Sequence, residues 1–235
     1  MKVGIMQPYL FPYIGYFQTI NAVDKYVIYD DVQFIKGGWI NRNRLLINGK
    51  ASMVTLKIKK EDFKLNINEI FLVDNFEYEN NKVLKSIELV YSRAPYFSNT
   101  IDVIREILTY KDKNLSKFII NSIVEICKFL DVNTELIISS QLKKDTSLKA
   151  EEKVIHINEI LGSDTYINAI GGMELYSKDK FKEQGIDLFF VKMKEIKYKQ
   201  FNGDFIPNLS IIDVLMFNSK EEVKRLLSEY ELVRI

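Results

Sequence analysis

Asp30 and Asp31 stand side by side. Gln33 follows, and then come Lys36, Trp39, Asn41, Arg42, Asn43 and Arg44 with no further acid among them. Adjacent carboxylates are costly unless they are solvated or face positive charge. Asp30 and Asp31 are therefore candidates to accept sugar hydroxyls, to hold a cation or to act as a general base. One of them could instead cap a turn while the other pairs with an arginine. Arg42 and Arg44 carry planar forks that match phosphate oxygens. Asn41 and Asn43 each bring a donor and an acceptor, Lys36 adds a point charge, and Trp39 offers a ring to stack on. The set suits a nucleotide diphosphate. The plainer alternative is a solvated basic hairpin strand, and an RNA-contacting strip would rest on three charges only.

Three further blocks carry unusual residues. Gln7-Pro8-Tyr9-Leu10-Phe11-Pro12-Tyr13 is a loop stiffened by two prolines, with Gly15 and Tyr16 just beyond it. Glycine there permits close approach of a ligand or a chain, and a rigid aromatic core loop is the competing reading. Asn168 precedes the pair Gly171-Gly172, a second possible ligand-facing turn. Ser210 and Asp213 open an otherwise apolar run through Phe217, and an acid in such a run needs a partner or the start of a helix.

Other chemistries have little material. The chain has one His and one Cys among 235 residues. It lacks a Walker loop, a G-x-G-x-x-G and a G-x-S-x-G. No metal-ligand set is visible, and no cofactor can be named. His156 sits in a helical stretch, where packing or solvation is its usual fate, and Cys127 reads as a small core hydrophobe. With a single cysteine, no disulfide forms within the chain. Net charge of +1 gives no global pull toward nucleic acid or membrane. No signal peptide and no run of 18 apolar residues is visible, so a cytoplasmic protein without membrane insertion is expected.

The elements that must position these residues follow from pattern. Val3–Met6 and Tyr26–Tyr29 read as strands around a helix at Tyr13–Val23, a parallel βαβ start. Asn48-Gly49, between two apolar runs, marks a hairpin near residues 45–58. Apolar residues at three- and four-residue steps place helices at Val83–Tyr91, Ile101–Leu108 and Phe118–Leu130, a helical insertion near residues 78–130. Glu152–Leu161 is a helix stopped by Gly162. Tyr166–Ala169 and Leu188–Val191 read as strands, with a helix-like stretch at Met173–Phe181 between them. Ser219 and Glu222 form a capping box before Val223, Leu226, Leu227 and Tyr230. A single α/β domain is expected, with a parallel or mixed sheet and flanking helices.

Ile5-Met6-Gln7-Pro8-Tyr9 through Gly15-Tyr16-Phe17, Tyr29-Asp30-Asp31-Val32-Gln33-Phe34 and Trp39-Ile40-Asn41-Arg42-Asn43-Arg44 together resemble the WbqC-like protein family. Tyr166 through Gly172 and Leu209 through Asn218 extend the resemblance over essentially the whole chain. It implies a bacterial protein of O-antigen or other surface-polysaccharide synthesis. Pathways of that kind make nucleotide-linked amino sugars and decorate them. The resemblance thus implies transfer of an acyl or aminoacyl group, such as glycyl, to a dTDP-linked 4-amino-4,6-dideoxy sugar. Many members of the family have His where Met6 stands, so the base is sought among carboxylates or tyrosines instead. Tyr13-Ile14-Gly15-Tyr16 is also faintly similar to the His-x-Gly-His signature of nucleotidylyltransferases, with both histidines replaced.

The expected partners are a nucleotide-linked amino sugar and a donor the sequence does not identify. Nucleic acid enters only if that donor is a charged tRNA. Asp30 or Asp31 would serve as base. Arg42 and Arg44 would hold the diphosphate, Asn41 and Asn43 would orient the sugar or carbonyl, and Trp39 or Tyr9 would stack on a ring. A nucleotidyl or other sugar-modifying enzyme, and a non-catalytic binding protein of glycan assembly, remain as alternatives.

Overall fold

The structure is a computed structural model that describes residues 1–60 and 64–234. Strand β1 (Lys2–Met6), helix α1 (Ile14–Asn21) and strand β2 (Lys25–Ile28) open the chain. β1 and β2 pair in parallel, which requires a crossover, and α1 supplies it. Strands β3 (Arg42–Ile47) and β4 (Lys50–Thr55) form a separate antiparallel hairpin. Its turn residues Asn48 and Gly49 have φ of 52° and 72°, the positive pair a type I′ turn needs. β3 begins earlier than the apolar run at Leu45, because Arg42 already pairs with Thr55. Asn43 and Arg44 therefore sit on a strand.

Helices α2 (Phe76–Tyr91), α3 (Phe97–Leu108) and α4 (Leu115–Phe129) make the insertion before strand β5 (Glu135–Ile138). Helix α5 (Ala150–Leu161) ends on Gly162 at φ 67°. Strand β6 (Thr165–Ala169), helix α6 (Lys178–Glu183), strand β7 (Asp187–Met193), helices α7 (Ile211–Phe217) and α8 (Lys220–Leu226), and strand β8 (Tyr230–Val233) complete the order. The main sheet runs β5-β2-β1-β6-β7-β8. Only the β7–β8 pairing is antiparallel.

Alternation along the strands divides the core. Val3, Ile5, Val27, Tyr166, Leu188 and Phe190 face α5 and α6, which contribute Val154, Ile157 and Phe181. Tyr26, Ile28, Ile167 and Val191 join the larger core with α1, the α2–α4 insertion and α7. The sheet is thus covered on both faces, as parallel sheets require.

Two readings from sequence change. Met173–Phe181 is not one helix: a 3-10 turn spans Ile170–Leu175, and α6 starts only at Lys178. Between them the Glu151 carboxylate accepts the Ser177 N–H. Tyr230 leaves the C-terminal helix and opens β8 opposite Met193. β5, short and only partly buried, was not anticipated. At α8 the Ser219 hydroxyl accepts the Glu222 N–H at 3.1 Å, as its capping role requires.

Candidate functional site

In this strand order β1 is followed by β2 and β5 on one side and by β6, β7 and β8 on the other. The order reverses between β1 and β6, and such a reversal opens a crevice beyond the carboxyl ends of the strands. The loop after β1 forms one wall of that crevice. Asn43 donates to the carbonyls of Leu10 and Phe11 at 3.0 and 2.9 Å. Ser210 donates to the Phe11 carbonyl at 2.8 Å, and the Ile211 N–H reaches the Pro12 carbonyl at 2.8 Å. The Tyr16 hydroxyl donates to the Gln7 carbonyl at 3.1 Å. Phe11 is held at φ 41°, a conformation that persists only where surrounding contacts over-determine it. Two segments distant in sequence, at Asn43 and at Ser210–Ile211, therefore lock one loop, and Tyr16 ties it locally.

A cavity of about 410 Å³ opens at this edge, lined by Tyr9, Tyr13, Trp39, Arg44, Lys192 and Asn208 among others. Its size falls within the range of small-molecule sites. The Arg44 guanidinium lies 5.5 Å from the Trp39 ring centre. Its Nη2 donates to the Asn208 carbonyl at 3.0 Å, and no carboxylate pairs with it among the described residues. Trp39 is 43% exposed, within reach of a ligand in the cavity. Burial, with Tyr13 beside it, pushes the Tyr9 phenol up, and burial does the same to Tyr13. Both stay neutral hydrogen-bonding groups. Among the described residues, Arg44 and Lys192 are the charged members of the lining, with no carboxylate and no imidazole beside them. Gly15 also lines the cavity, and a Cβ there would lie 2.3 Å from Cε2 of Tyr13. The close approach that this glycine permits is therefore the Tyr13 ring.

Of the residues singled out by sequence, Tyr9, Gly15, Trp39, Asn43 and Arg44 meet at this cavity. The others lie elsewhere. Asp30 is 3% exposed and accepts from the Ser140 N–H at 2.9 Å, the Ser140 hydroxyl at 2.7 Å and the Ser116 hydroxyl at 3.4 Å. Asp31 turns toward α5, with Lys153 Nζ at 3.0 Å and Lys144 Nζ at 3.1 Å. Burial raises the Asp31 carboxyl, but Ser139, Lys153 and Lys144 outweigh it and hold the group below its ordinary value. Asp31 Oδ1 and Ser139 Oγ both lack a well-formed hydrogen bond, so the close lysines carry most of that effect. Arg42 spends its fork on the Gly38 carbonyl at 2.8 Å and on the Gly37 carbonyl. Asn41 closes the hairpin base by donating to Leu56 at 2.9 Å. Gln33 and Lys36 are exposed and outside the lining.

Tyr16 and Ser210 are fully buried and act on the loop as described. Gln7 offers its backbone to Tyr16. Asn168 donates to the hydroxyls of Tyr166 and Tyr176 at 3.0 and 3.1 Å. A Cβ on Gly172 would lie 3.0 Å from the Asn168 amide nitrogen, whereas Gly171 faces open space. Asp213 is fully buried and receives Tyr91, Tyr198 and Gln200 at 2.8, 2.7 and 2.8 Å. Burial pushes its carboxyl up against the pull of those three donors. Cys127 is buried, its thiol pushed up to about 12 by desolvation.

Sequence reasoning missed Tyr13, Ile170, Val191, Lys192, Met193 and Asn208 as lining residues. A signal existed for the β7 residues, which lie at the carboxyl end of a strand beside the crevice. Asn208 stands at φ 55°, and Pro-Asn before a helix is a turn signal. Among the described residues no three His, Cys, Asp or Glu side chains gather as metal ligands, and no helix is long and apolar enough to cross a membrane.

Comparison with known proteins adds the lineage. An uncharacterized protein of Mycobacterium tuberculosis is 28% identical over 220 residues, covering 92% of this chain and 93% of its own length. No solved structure matches. The family model of the WbqC-like proteins matches residues 7–225, which include the loop, the hairpin and the residues that line the cavity, and the chain belongs to the WbqC-like protein family.

Proposed function

We propose that this chain is a transferase of bacterial surface-polysaccharide synthesis. It binds a nucleotide-linked amino-deoxy sugar in the crevice between β1 and β6 and places an acyl or aminoacyl group on the sugar amine. The observation that carries this reading is an arginine with no carboxylate partner among the described residues, placed in one cavity with the exposed Trp39 and the half-buried Tyr9 at the switch point of the sheet. Guanidinium forks favour phosphate oxygens, and Trp39 and Tyr9 offer faces for a base or a sugar ring.

In the transfer the amine nitrogen attacks the donor carbonyl. The C–N bond forms, the bond to the leaving group breaks, and the amine proton departs with the leaving group or to solvent. Among the described residues no lining side chain is an ordinary base, so the cavity's part is binding and orientation. That same observation favours a second reading, a non-catalytic protein that binds the nucleotide sugar for other enzymes.

Calorimetry with dTDP and a dTDP-linked 4-amino-4,6-dideoxy sugar tests the site. Mass spectrometry of that sugar after incubation with activated acyl and aminoacyl donors tests the transfer. Saturable binding and a mass gain support the transferase. Binding without any mass gain leaves the carrier reading, and no binding of either nucleotide sinks both.

A further inference from the structure

The chain between β7 and α7, residues 194–210, contains no helix and no strand. Irregular connections of that length are usually functional. This one brings Asn208 to the cavity, where the Asn208 carbonyl accepts from Arg44 Nη2 at 3.0 Å. Buried Gln200 gives it internal order. The Gln200 amide donates to the Ile206 carbonyl at 3.1 Å and accepts the Ile206 N–H at 2.9 Å.

Asp213, in the first turn of α7, reaches both sides of the Arg44–Asn208 contact. On one side its Oδ2 accepts from the Tyr198 hydroxyl at 2.7 Å and from Gln200 Nε2 at 2.8 Å. Gln200 in turn holds Ile206, two residues before Asn208. On the other side Asp213 Oδ1 accepts from the Tyr91 hydroxyl at 2.8 Å. That hydroxyl accepts the N–H of Leu46 at 3.0 Å, two residues after Arg44 on β3. Among the described residues no cation pairs with Asp213. An acid buried among neutral donors is costly, and packing alone does not call for one. Its use lies in its acceptors: a carboxylate takes all three donors and has no proton of its own to place. Burial, and Asp213 after it, push the Tyr91 and Tyr198 phenols up, so both remain donors.

We infer that Asp213 is the positioning residue of the Arg44 site: it fixes β3 against residues 206–208 and so holds the guanidinium fork in the direction from which a phosphate is met. This rests on the nucleotide-binding reading above and adds the group that orients the arginine. Asp213 lies outside the cavity lining and acts through Arg44.

The test is a set of double-mutant cycles on the full chain. Tyr198→Phe and Tyr91→Phe each remove one hydroxyl and keep the ring. Each should weaken dTDP binding about threefold to tenfold, the worth of one hydrogen bond. In an Arg44→Ala background neither should weaken it further, because the group they orient is gone. Asp213→Asn should follow the same pattern, and the two Phe variants carry the test if it does not fold. Parental affinity in both Phe variants overturns the inference while the nucleotide site stands. Losses of equal size with and without Arg44 overturn it too, since a merely structural role would give them. Trypsin needs no nucleotide. Lys197 and Lys199 are exposed on the tethered chain, and Tyr198→Phe should speed native-state cleavage after them, relative to the rates in the unfolded chains. Faster cleavage supports the tether even if dTDP fails to bind, which would sink the nucleotide reading alone. Parental rates overturn the inference.

Discussion

Two arginines separated by one residue have different work. Arg42 is saturated by the carbonyls of Gly37 and Gly38 and holds the loop that carries Trp39. Arg44 stacks on Trp39 and faces the cavity with one carbonyl partner. Arg44→Ala should therefore weaken binding of dTDP by about 1.5–3 kcal/mol, the range for hydrogen bonds to charged groups. Arg44→Lys should recover only part, because the fork is lost. Calorimetry at one ionic strength checks both. Arg42→Ala should act through loop order instead, with a smaller change in affinity. Equal losses for the two alanine variants would mean that both guanidinium groups reach the ligand. Gly15 gives a second test at this scale. An alanine Cβ would overlap the Tyr13 ring, so Gly15→Ala should displace that ring and lower nucleotide affinity several-fold. A crystal structure of the variant would show the ring moved, and an unmoved ring would contradict the expectation.

At the scale of elements, the ends of β2 and β5 are joined to α5 and its approach by buried charge. Lys144 and Lys153, with side chains 2% and 11% exposed, share the Asp31 carboxylate. Removing that carboxylate leaves two ammonium groups uncompensated, so Asp31→Asn should cost roughly 3 kcal/mol of stability at neutral pH. The pH dependence has a definite sign. The folded carboxyl is held below its unfolded value of about 3.9. Its contribution is present above that value and is lost as pH falls through the lower folded one. Asp31→Asn should therefore lower the midpoint of denaturant unfolding at pH 7 and flatten the acid limb below about pH 4. A variant as stable as the parent would show that the lysines find other partners.

The same region shows what sequence could and could not convey. Tyr29, Asp30 and Asp31 visibly end a strand, because a β-branched and aromatic run stops at two acids. The face each acid takes depends on α4 and α5, which arrive much later in the chain and bring Ser116 and Lys153. Helix periodicity made α2 to α4 legible, and Asn48-Gly49 made the hairpin legible, because both signals are local. β5 and β8 depend on neighbours in the sheet, and Tyr230 matches a helical step as well as a strand. Tyr9, Trp39 and Arg44 were legible as ligand-type residues, while Lys192 and Asn208 join them only once the sheet order is known.

At the scale of the molecule, the doubly covered sheet separates two sets of groups at one edge. The cavity opens on the α1 side, while Asp31 faces α5 and Asp30 is held by Ser116 and Ser140. Among the described residues no carboxylate and no imidazole lines the cavity. Tyr9 and Tyr13 are pushed up by burial and cannot accept a proton near neutral pH. A sugar ammonium has no lone pair and cannot attack a carbonyl, so under the transferase reading the substrate must react as its free amine. The expected outcome is a single ascending limb of turnover against pH, set by the amine of the substrate. Replacing the amino sugar with one of lower amine pKa should move that limb to lower pH by the same interval. Asp30→Asn and Asp31→Asn should leave the limb where it is, although both should reduce stability. The measurement is turnover over pH 5.5–9 with two amino sugars and three proteins, each followed within the range where it stays folded. Loss of turnover by about 10²–10⁴-fold in a folded Asn variant, the usual cost of removing a general base, would assign that carboxylate to the chemistry. It would also require the α5 side of the sheet edge to open to the amine.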